Sequence, residues 1–573
     1  MGGGCLLLVC ALYSPAWFAP FYYDDIPAIL LNDSIKSVQG LIPVLKGFYY
    51  SRGFVQLTLW MDWNLYGDHA SGYHLTSILL HLLCTVMVWI TVRNLFRFFF
   101  PQEESVSRLT GFVSALIFGI HPINTEAVSY VISRADIIST LAYLVTFIIC
   151  LKIFMSIREQ NPFIQRILKL LAISFLLGLG TLLGLGGKEI VVTLPAMFVI
   201  TIAVRQRLRI PAFYREVGII LLPLGLLFAF YAISRIQTFG SFLGFEDAYS
   251  RPWGLNLITQ FSAWFCYYLP QAFLPLHLNF LPEYPLVVSW TDSRLLIAFL
   301  LATGTILLCF YTFRRQPLIT WSILWFVVTI SVTSSFIPLM EIVTERRLYL
   351  PLAGLVVLVE LLLRQRWFQR KVWVLALVVY VSFLGYKTYE RNMDYAIPER
   401  FWRKTALASP HNMNAFLELL KVYRREGNLQ KALALFQINN EINLVGRNLT
   451  SPRQLNELID FLFPRGLWRE QGIQLAEQGV RENPKSIEHW ETLQMAYLLT
   501  GQYNKLDEAI EQTLKLNSRH KISLIHRALS MEGQGNVEQA QKILQNLRKR
   551  YPDDTILEEE FNKFRSRNQL ALQ

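Results

Sequence analysis

Cysteine and charge are scarce in this chain of 573 residues. All six cysteines precede residue 310 and none has metal-ligand spacing, which argues against a zinc site or a disulfide framework. Charged residues make up only 17% of the chain and hydrophobic residues 53%, so the chain is too apolar for a soluble protein of this length. The glycine-rich segment 184–189 lacks the glycine spacing and the final Ser or Thr of a Walker motif, which argues against ATP-driven transport.

The apolar residues are concentrated in the first two thirds of the chain. Long apolar runs predict a multi-span membrane domain at residues 1–390, and the polar remainder predicts a second domain at residues 391–573. The stretch 261–280 is apolar but contains Pro270 and Pro275, so we expect a re-entrant or interfacial helix pair broken at these prolines. The candidate spans are 3–20, 72–92, 110–121, 137–155, 166–185, 190–204, 216–234, 294–313, 318–338, 351–363 and 372–388.

Basic residues predict the orientation. Loops rich in Arg and Lys, such as those with Arg93 and Arg97 or with Arg314 and Arg315, alternate with loops that hold few, and the rich loops are expected in the cytoplasm. The N-terminus is then cytoplasmic, and about eleven spans place the second domain outside the cytoplasm. No positively charged segment or clear cleavage site accompanies the first span, so we expect it to be uncleaved.

The second domain repeats a glycine-containing turn. Gly427-Asn428 and Gly535-Asn536 begin similar turns between predicted helices, and Gly466 and Gly501 mark intermediate copies. The separations between Gly466, Gly501 and Gly535 are 35 and 34 residues, close to the period of about 34 in tetratricopeptide repeats. The fold class is therefore all-α: a polytopic helical membrane protein followed by a tetratricopeptide-repeat α-solenoid, whose concave face is of the kind that binds a peptide or protein. A helical domain without a ligand is the alternative.

A pair of carboxylates, Asp24 and Asp25, directly follows the first span. Adjacent carboxylates at this position require water or ionic partners, and one of them could take a proton from a hydroxyl at the bilayer surface. A solvated interfacial turn is the alternative. Spacing does not distinguish the two residues; we favour Asp24 as the base.

Two further motifs combine charges at predicted outer span ends. One holds His121, Glu126, Arg134 and Asp136 within sixteen positions, and an ion-paired connection between spans is its alternative reading. The other is the glycine-rich turn before Lys188 and Glu189, where backbone N–H groups and the lysine could bind an anion. A glycine-rich hinge with an interfacial lysine is the alternative there.

Arg346 and Arg347 lie on the predicted outer face, against the charge bias. A phosphate group would account for them because the guanidinium fork matches its oxygens, and anchoring to anionic lipid is the alternative. The segment Tyr49-Tyr50-Ser51-Arg52 could stack on a sugar ring, although such aromatic residues are typical of the membrane interface. Together, outward carboxylates and cations suit a transfer reaction from a lipid-phosphate donor, in which a base activates a hydroxyl and cations stabilise the leaving phosphate.

These motifs, in this order, resemble the transmembrane and tetratricopeptide-repeat-containing O-mannosyltransferases and their bacterial relatives. The resemblance rests on Asp24-Asp25, the His-Pro-x-x-Thr-Glu-Ala segment from His121, Arg134-Ala-Asp136, Lys188-Glu189 and the segment from Glu345 to Pro351. It implies a glycosyltransferase C fold, a polyprenyl-phosphate sugar donor and inversion at the anomeric carbon. The small number of repeats favours a bacterial inner-membrane enzyme with a periplasmic repeat domain.

The resemblance also implies roles for individual residues. Asp24 or Asp25 is the base, and Glu126 and Asp136 are acids that orient the acceptor or base. Lys188, Arg346 and Arg347 bind the donor phosphate, supported by Arg134 and His121. The remaining substrate-binding candidates are Arg52, Glu189, Glu345 and Tyr349.

The partners expected on this basis are the lipid-linked sugar, an acceptor protein held by the repeats, and membrane lipids, with no nucleic acid. No metal ligand set or cofactor is implied, while a divalent metal stays open. Two alternatives to a protein-modifying transferase remain: a transferase acting on a polysaccharide or lipid, and a non-enzymatic scaffold that recruits partners through its repeats.

Overall fold

The computed structural model describes most of the chain and divides it into two compact units, Met1–Ser409 and Pro410–Gln573. The described residues are 2–46, 52–157, 160–206, 216–225, 251–335, 337–363, 370–428, 452–552 and 554–568, with isolated residues between 225 and 251 and between 428 and 452. The predicted domain boundary at residues 390 and 391 falls inside the helix Arg370–Ala396. That helix and the following one, Pro398–Ala408, are part of the first unit.

Every regular element in the described part of the chain is helical, as the all-α prediction requires. The longest helices pack side by side around a core that contains Trp321 and Trp325. The α-helices of the first unit are Gly2–Tyr13, Val38–Lys46, Gly53–Tyr66, Ala70–Phe99, Glu104–Gly119, Thr125–Ser129, Arg134–Met155, Phe163–Leu185, Leu194–Gln206, Trp253–Ala263, Leu269–Phe273, Ser293–Arg315, Pro317–Ser331, Tyr349–Leu363, Arg370–Ala396 and Pro398–Ala408.

Five helical segments in the described part of the chain are long and apolar enough to cross a membrane, or six if one bent pair is a single span. All five coincide with predicted spans. Helices of this length and composition make the protein an integral membrane protein. The shorter apolar helices Gly3–Phe18, Glu216–Gly225 and Pro317–Ser331 match three more predictions in part. The second half of the span predicted at 216–234 lies largely outside the described residues. The five long segments are Ala70–Phe99, Val131–Met155, Phe163–Leu185, Glu189–Gln206 and Ser293–Arg315.

The bent pair explains how Glu126 enters the protein interior. Glu104–Gly119 and Pro122–Ser129 meet at 51°. Pro122 has no N–H group and restricts the residue before it, so the first helix ends. His121 then caps the next turn, its Nδ1 accepting the N–H of Ile123 at 3.3 Å. All five residues of the short helix Thr125–Ser129 are buried, and Glu126 is among them.

The predicted break at Pro270 is wrong. The chain stays helical from Trp253 to Phe273 through a π-helical turn at Trp264–Tyr268. Pro270 lies in the first turn of the last segment, where an N–H group is dispensable. The helix ends before Pro275, as the restriction on the residue preceding a proline predicts.

The second unit is built from antiparallel helix pairs. Its turns contain Gly427, Gly466, Gly501 and Gly535, each with φ between 69° and 87°, a backbone conformation that favours glycine. The turns predicted from the repeating glycines are thus confirmed. The helices are Met413–Arg425, Pro452–Leu462, Arg469–Glu482, Ile487–Leu499, Tyr503–Leu516, Lys521–Gly533, Val537–Arg550 and Thr555–Arg567.

Candidate active site

The two adjacent aspartates have opposite environments. Asp24 is exposed, whereas Asp25 is 0% exposed. Asp25 Oδ1 accepts the N–H of Ile132 at 2.8 Å, and its Oδ2 accepts the N–H groups of Tyr22 and Val131 at 3.2 and 3.4 Å. Asp25 therefore ties the first loop to the segment before the helix Arg134–Met155. Of the two aspartates, only Asp24 is exposed to solvent.

Burial raises the pKa of Asp25 from 3.8 to about 7, against the opposing effect of its backbone hydrogen bonds and of Arg134. A pKa near 7 suits a general base, but both oxygens of this carboxylate are already engaged and inaccessible. The folded protein therefore holds a proton on Asp25 more tightly than the unfolded chain does. This contribution to stability is complete below about pH 4 and is lost as the pH rises toward 7.

We expect the thermal midpoint of the protein to fall between pH 4 and pH 7 partly because of Asp25. A shift of this size corresponds to at most about 4 kcal/mol, since one pKa unit is worth about 1.4 kcal/mol. Thermal unfolding in detergent at several pH values should show a smaller slope for Asp25→Asn than for the unchanged protein. An identical slope for both proteins would assign the pH dependence to other groups.

Tyr130 links the aspartate loop to the cations. Its hydroxyl oxygen accepts the N–H of Asp24 at 3.0 Å, and its ring packs edge-on against Phe280 at 4.9 Å. Burial raises the pKa of Tyr130, the charges of Asp25 and Asp24 raise it further, and the positive charge of Arg346 opposes them. Tyr130 was absent from the predicted site residues. It lies between Glu126 and Arg134 in the sequence, and the prediction was based on charged residues.

Arg346 lies between two carboxylates. Its Nη1 donates to Glu126 Oε1 at 2.8 Å, and its backbone N–H donates to Glu126 Oε2 at 3.0 Å. Its Nη2 donates to Glu341 Oε2 at 2.6 Å. The two partners differ in exposure: Glu126 is buried, while the Glu341 side chain is 33% exposed. Glu341 is consequently the partner that an anionic ligand could displace.

Lys188 binds Asp136, its Nζ lying 2.7 and 2.9 Å from the two carboxylate oxygens. Burial lowers the pKa of Lys188, and the positive charges of Arg346 and Arg52 lower it further, while Asp136 opposes them. The three cations therefore share one region. Arg52 is exposed, and the N–H of the nearby Phe54 donates to Gly186 in the glycine-rich turn at 2.9 Å. Tyr49, Tyr50 and Ser51 lie outside the described residues.

Gly187 allows this turn to approach the helix that carries Asp136. A Cβ atom added at Gly187 would lie 2.6 Å from Ser139 Oγ and 3.2 Å from the carbonyl oxygen of Ala135. Both distances are shorter than ordinary van der Waals contact, and Ser139 Oγ is held by its own hydrogen bond to Ala135. The absence of a side chain at position 187 thus positions Lys188.

Gly187→Ala should therefore displace Lys188 from Asp136 and reduce activity by up to about 10²-fold, because a misplacement of about 1 Å can have that effect. The measurement is sugar transfer to protein by the purified protein in liposomes. Gly218→Ala is the matched control, since a Cβ there meets nothing within 4 Å. Equal activity of both variants would show that the turn has room to adjust.

Other predicted site residues hold the scaffold in place. Buried Arg134 donates to Asp62 at 2.5 Å and to the carbonyl of Tyr73 at 2.9 Å. Arg347 donates to the carbonyls of Ile342 and Glu341 at 2.8 and 2.7 Å. Glu345 is paired with Arg391 and accepts the N–H of Asn279.

His121, Tyr349 and Glu189 complete the predicted set. His121 Nε2 lies 3.0 Å from the carbonyl of Ala272, and the Tyr349 hydroxyl lies 2.7 Å from His81 Nδ1. These two side chains are buried, whereas Glu189 is exposed beside Lys188. Asp62, His81 and Arg391 were not predicted, because each is a single polar residue whose partner is distant in the chain.

The arrangement can bind an anion and accept a proton side by side. Arg346, Lys188 and Arg52 supply positive charge, and Asp24 supplies an accessible carboxylate. Among the described residues, no group of three or more His, Cys, Asp or Glu side chains is placed to hold a metal ion.

The fold and site define an integral membrane protein with a charged cluster near its span ends and a separate helical-repeat unit. No protein-family model matches the chain. It is 24% identical over 474 residues to protein O-mannosyl-transferase TMTC3 of Mus musculus, an alignment that covers 75% of this chain and 50% of the relative. It is 28% identical over 157 residues to protein O-mannosyl-transferase Tmtc1 of Drosophila melanogaster, covering 25% and 17%.

A third relative is protein O-mannosyl-transferase TMTC4 of Homo sapiens, 26% identical over 179 residues, covering 28% of this chain and 23% of that protein. The chain spans half or less of the length of these curated relatives. The resemblance predicted from the motifs is confirmed: the curated relatives are transmembrane and tetratricopeptide-repeat-containing protein O-mannosyl-transferases, at low identity over 75% of the chain.

Proposed function

We propose that this protein is a membrane glycosyltransferase that moves a sugar, mannose in the first instance, from a polyprenyl-phosphate donor to a Ser or Thr hydroxyl of a protein. The observation that carries the proposal is the exposed Asp24 carboxylate next to a region shared by Arg346, Lys188 and Arg52. The names of the relatives support the reaction class and the choice of sugar and acceptor.

Asp24 acts as the general base in this mechanism. It takes the proton of the acceptor hydroxyl while the hydroxyl oxygen attacks the anomeric carbon of the donor sugar. The bond from that carbon to the phosphate oxygen breaks, and the polyprenyl phosphate leaves with the bonding electron pair. A single displacement of this kind inverts the anomeric configuration. Tyr130 positions Asp24 through the hydrogen bond to its backbone N–H.

Arg346 and Lys188 stabilise the leaving phosphate. In this mechanism the phosphate takes the place of Glu341 on Arg346, because that carboxylate is the exposed one of the two. Glu126 and Asp136 hold the two cations in position and keep their charges balanced before the donor binds. Arg347, Arg134 and His121 act indirectly, through the segments that they hold. No metal or other cofactor is assigned a step.

The reaction takes place on the extracytoplasmic side in this proposal, which for a bacterial protein is the periplasmic side of the inner membrane. The distribution of basic loops supports that orientation. Reporter fusions near Gly67 and Gln206 test it. Gly67 should report outside and Gln206 inside, and the reverse result would move the reaction to the cytoplasmic face.

The repeat unit binds the acceptor protein in this proposal. A cavity of about 320 Å³ is lined by residues from the first helix of successive pairs, where a curved helical array presents its concave face. Its lining mixes charge and apolar surface, as an extended peptide segment requires: Arg424, Asn456, Glu457, Asp460, Glu491, Met495, Ile522 and His526.

The decisive experiment uses the purified full-length protein in liposomes with polyprenyl-phosphate mannose and an unmodified periplasmic protein fraction. Mass spectrometry should find a new hexose on Ser or Thr residues. Asp24→Asn is the inactive control. Transfer that proceeds equally with a nucleotide sugar, or only onto lipid or polysaccharide, would replace the proposal with the corresponding alternative.

A further inference from the structure

A basic cavity lies at the opposite end of the membrane helices from the candidate active site. Its volume is about 370 Å³, within the range of small-ligand sites. Asp136 and Lys152 lie on one continuous helix, Arg134–Met155, and are separated by about 24 Å at 1.5 Å per residue. The cavity is therefore distinct from the site around Asp136 and Lys188. Its lining residues are Trp89, Ile90, Arg93, Asn94, Arg97 and Lys152.

The two helices that form the cavity run in the same direction. Near their N-terminal ends, Arg134 donates to the carbonyl of Tyr73 at 2.9 Å, and residues near both C-terminal ends line the cavity. Both segments are long and apolar enough to cross a membrane, so their shared end lies at one membrane surface. In the orientation expected from the basic loops, that surface is the cytoplasmic one.

Positive charge is in excess around the cavity. Glu104 pairs with Arg93 at 2.7 Å and with Arg97 at 3.0 Å, and Arg108 lies 3.8 Å from the same carboxylate. Lys152, which is exposed, adds a fourth cation. Four cations and one carboxylate leave an excess of three positive charges. Such a cavity attracts an anion, and guanidinium groups match the oxygens of a phosphate.

Exposed apolar side chains continue from these cations along both helices. On the first helix, Leu79 and Leu83 precede Arg97 by eighteen and fourteen residues, which is five and about four turns, so the three share a helix face. On the second helix, exposed Ile149 lies one turn before Lys152. An anionic group in the cavity therefore has apolar surface beside it on the membrane side, where the acyl chains of a phospholipid would pack.

We propose that this cavity binds the headgroup of an anionic phospholipid. The phosphate lies between Arg97 and Lys152, and the acyl chains follow the exposed leucines toward the centre of the membrane. Basic pockets between membrane helices at the cytoplasmic side suit such headgroups. Phosphatidylcholine should bind less tightly, because its choline group brings a positive charge into a cavity that already has an excess. Lipid binding requires no sugar transfer, so this inference is independent of the proposed function.

The test is a titration of the purified full-length protein in detergent with palmitoyl-oleoyl phosphatidylglycerol, followed by native mass spectrometry. One molecule should bind about tenfold more tightly than phosphatidylcholine with the same acyl chains. The double variant Arg97→Gln with Lys152→Gln should weaken binding about 25-fold, since each basic residue near an anionic lipid contributes about fivefold. Equal binding of the two lipids, or unaltered binding by the double variant, would overturn the inference.

Arg314→Gln with Arg315→Gln is the matched control. This pair also removes two exposed charges from the end of a long apolar helix, Ser293–Arg315, but neither residue lines the cavity. The control should bind phosphatidylglycerol as tightly as the unchanged protein. Equal weakening by both double variants would mean that basic helix ends attract anionic lipid in general and that the cavity is no specific site.

Glu104→Gln gives a change of the opposite sign, which loss of folding cannot produce. It removes the carboxylate that competes for Arg93 and Arg97, so phosphatidylglycerol should bind about fivefold more tightly. Weaker binding by this variant would contradict the proposed competition and overturn the inference. Inorganic phosphate at the concentration of the lipid should not displace it, because phosphate has no acyl chains. Displacement would assign the cavity to a free anion and not to a lipid.

Discussion

Asp24→Asn should lower the rate of sugar transfer by about 10²–10⁴-fold, the usual effect of removing a general base. Asparagine keeps the shape of the side chain, and the hydrogen bond from the backbone N–H of Asp24 to the Tyr130 hydroxyl does not depend on the carboxylate. Because Asp24 is exposed, the thermal midpoint of the Asp24→Asn protein should stay close to that of the unchanged protein. Transfer from polyprenyl-phosphate mannose and thermal unfolding are the two measurements.

Asp25→Asn is the control for this prediction. Asp25 accepts three backbone N–H groups and is buried, so its replacement should change stability and pH dependence more than Asp24→Asn does. Full activity of Asp24→Asn in the liposome assay would remove Asp24 from the mechanism. Loss of activity in both variants with equal loss of stability would mean that the loop as a whole is structural.

Arg346→Lys should lower kcat/KM for the lipid donor by about 10²–10³-fold, the effect of losing one group that stabilises charge in a transition state. Lysine keeps the charge but cannot bind two oxygens in a fork. Arg346→Ala is less informative, because it leaves Glu126 buried without its cation, and breaking such a pair costs about 3–5 kcal/mol. Kinetics should be read only for variants whose thermal midpoint is retained.

The pair Arg346→Met with Glu126→Gln separates folding from donor binding. Removing both charges should restore much of the stability lost in Arg346→Ala, while donor use stays low. Glu341→Gln is the second control: if the phosphate displaces Glu341, donor affinity should be unchanged or improved. Full donor use by the double variant, or a large loss in Glu341→Gln, would show that Arg346 serves the scaffold and not the phosphate.

The motifs could be recognised in the sequence because they place charged residues where membrane proteins rarely have them. Carboxylates after an apolar run and two arginines on a predicted outer face are costly in membrane proteins unless they have a purpose. The prediction that Pro270 breaks a helix was wrong because the position of a proline within a turn, which decides its effect, depends on where the helix begins.

The pairing of the charges was not predictable from spacing. Asp25 accepts a hydrogen bond from the N–H of Ile132, which is 107 positions away in the sequence. Arg346 donates to Glu126, which is 220 positions away. Arg346 and Arg347 are neighbours, yet one binds two carboxylates and the other binds backbone carbonyls. Side chains that are adjacent in a helical turn point in different directions, so their roles depend on what the fold places around them.

By itself, the sequence determined that this is an all-helical membrane protein with a repeat unit, because apolar runs of sufficient length must satisfy their backbone groups internally and recurring glycines permit the turns at positive φ. It also determined which residue types are available near the span ends. Only the tertiary structure decided that Asp24 is exposed and Asp25 buried, and that Glu341 is the more exposed of the two carboxylates bound to Arg346. The physical reason is that exposure and ion pairing are properties of contacts between distant segments, which local pattern does not specify.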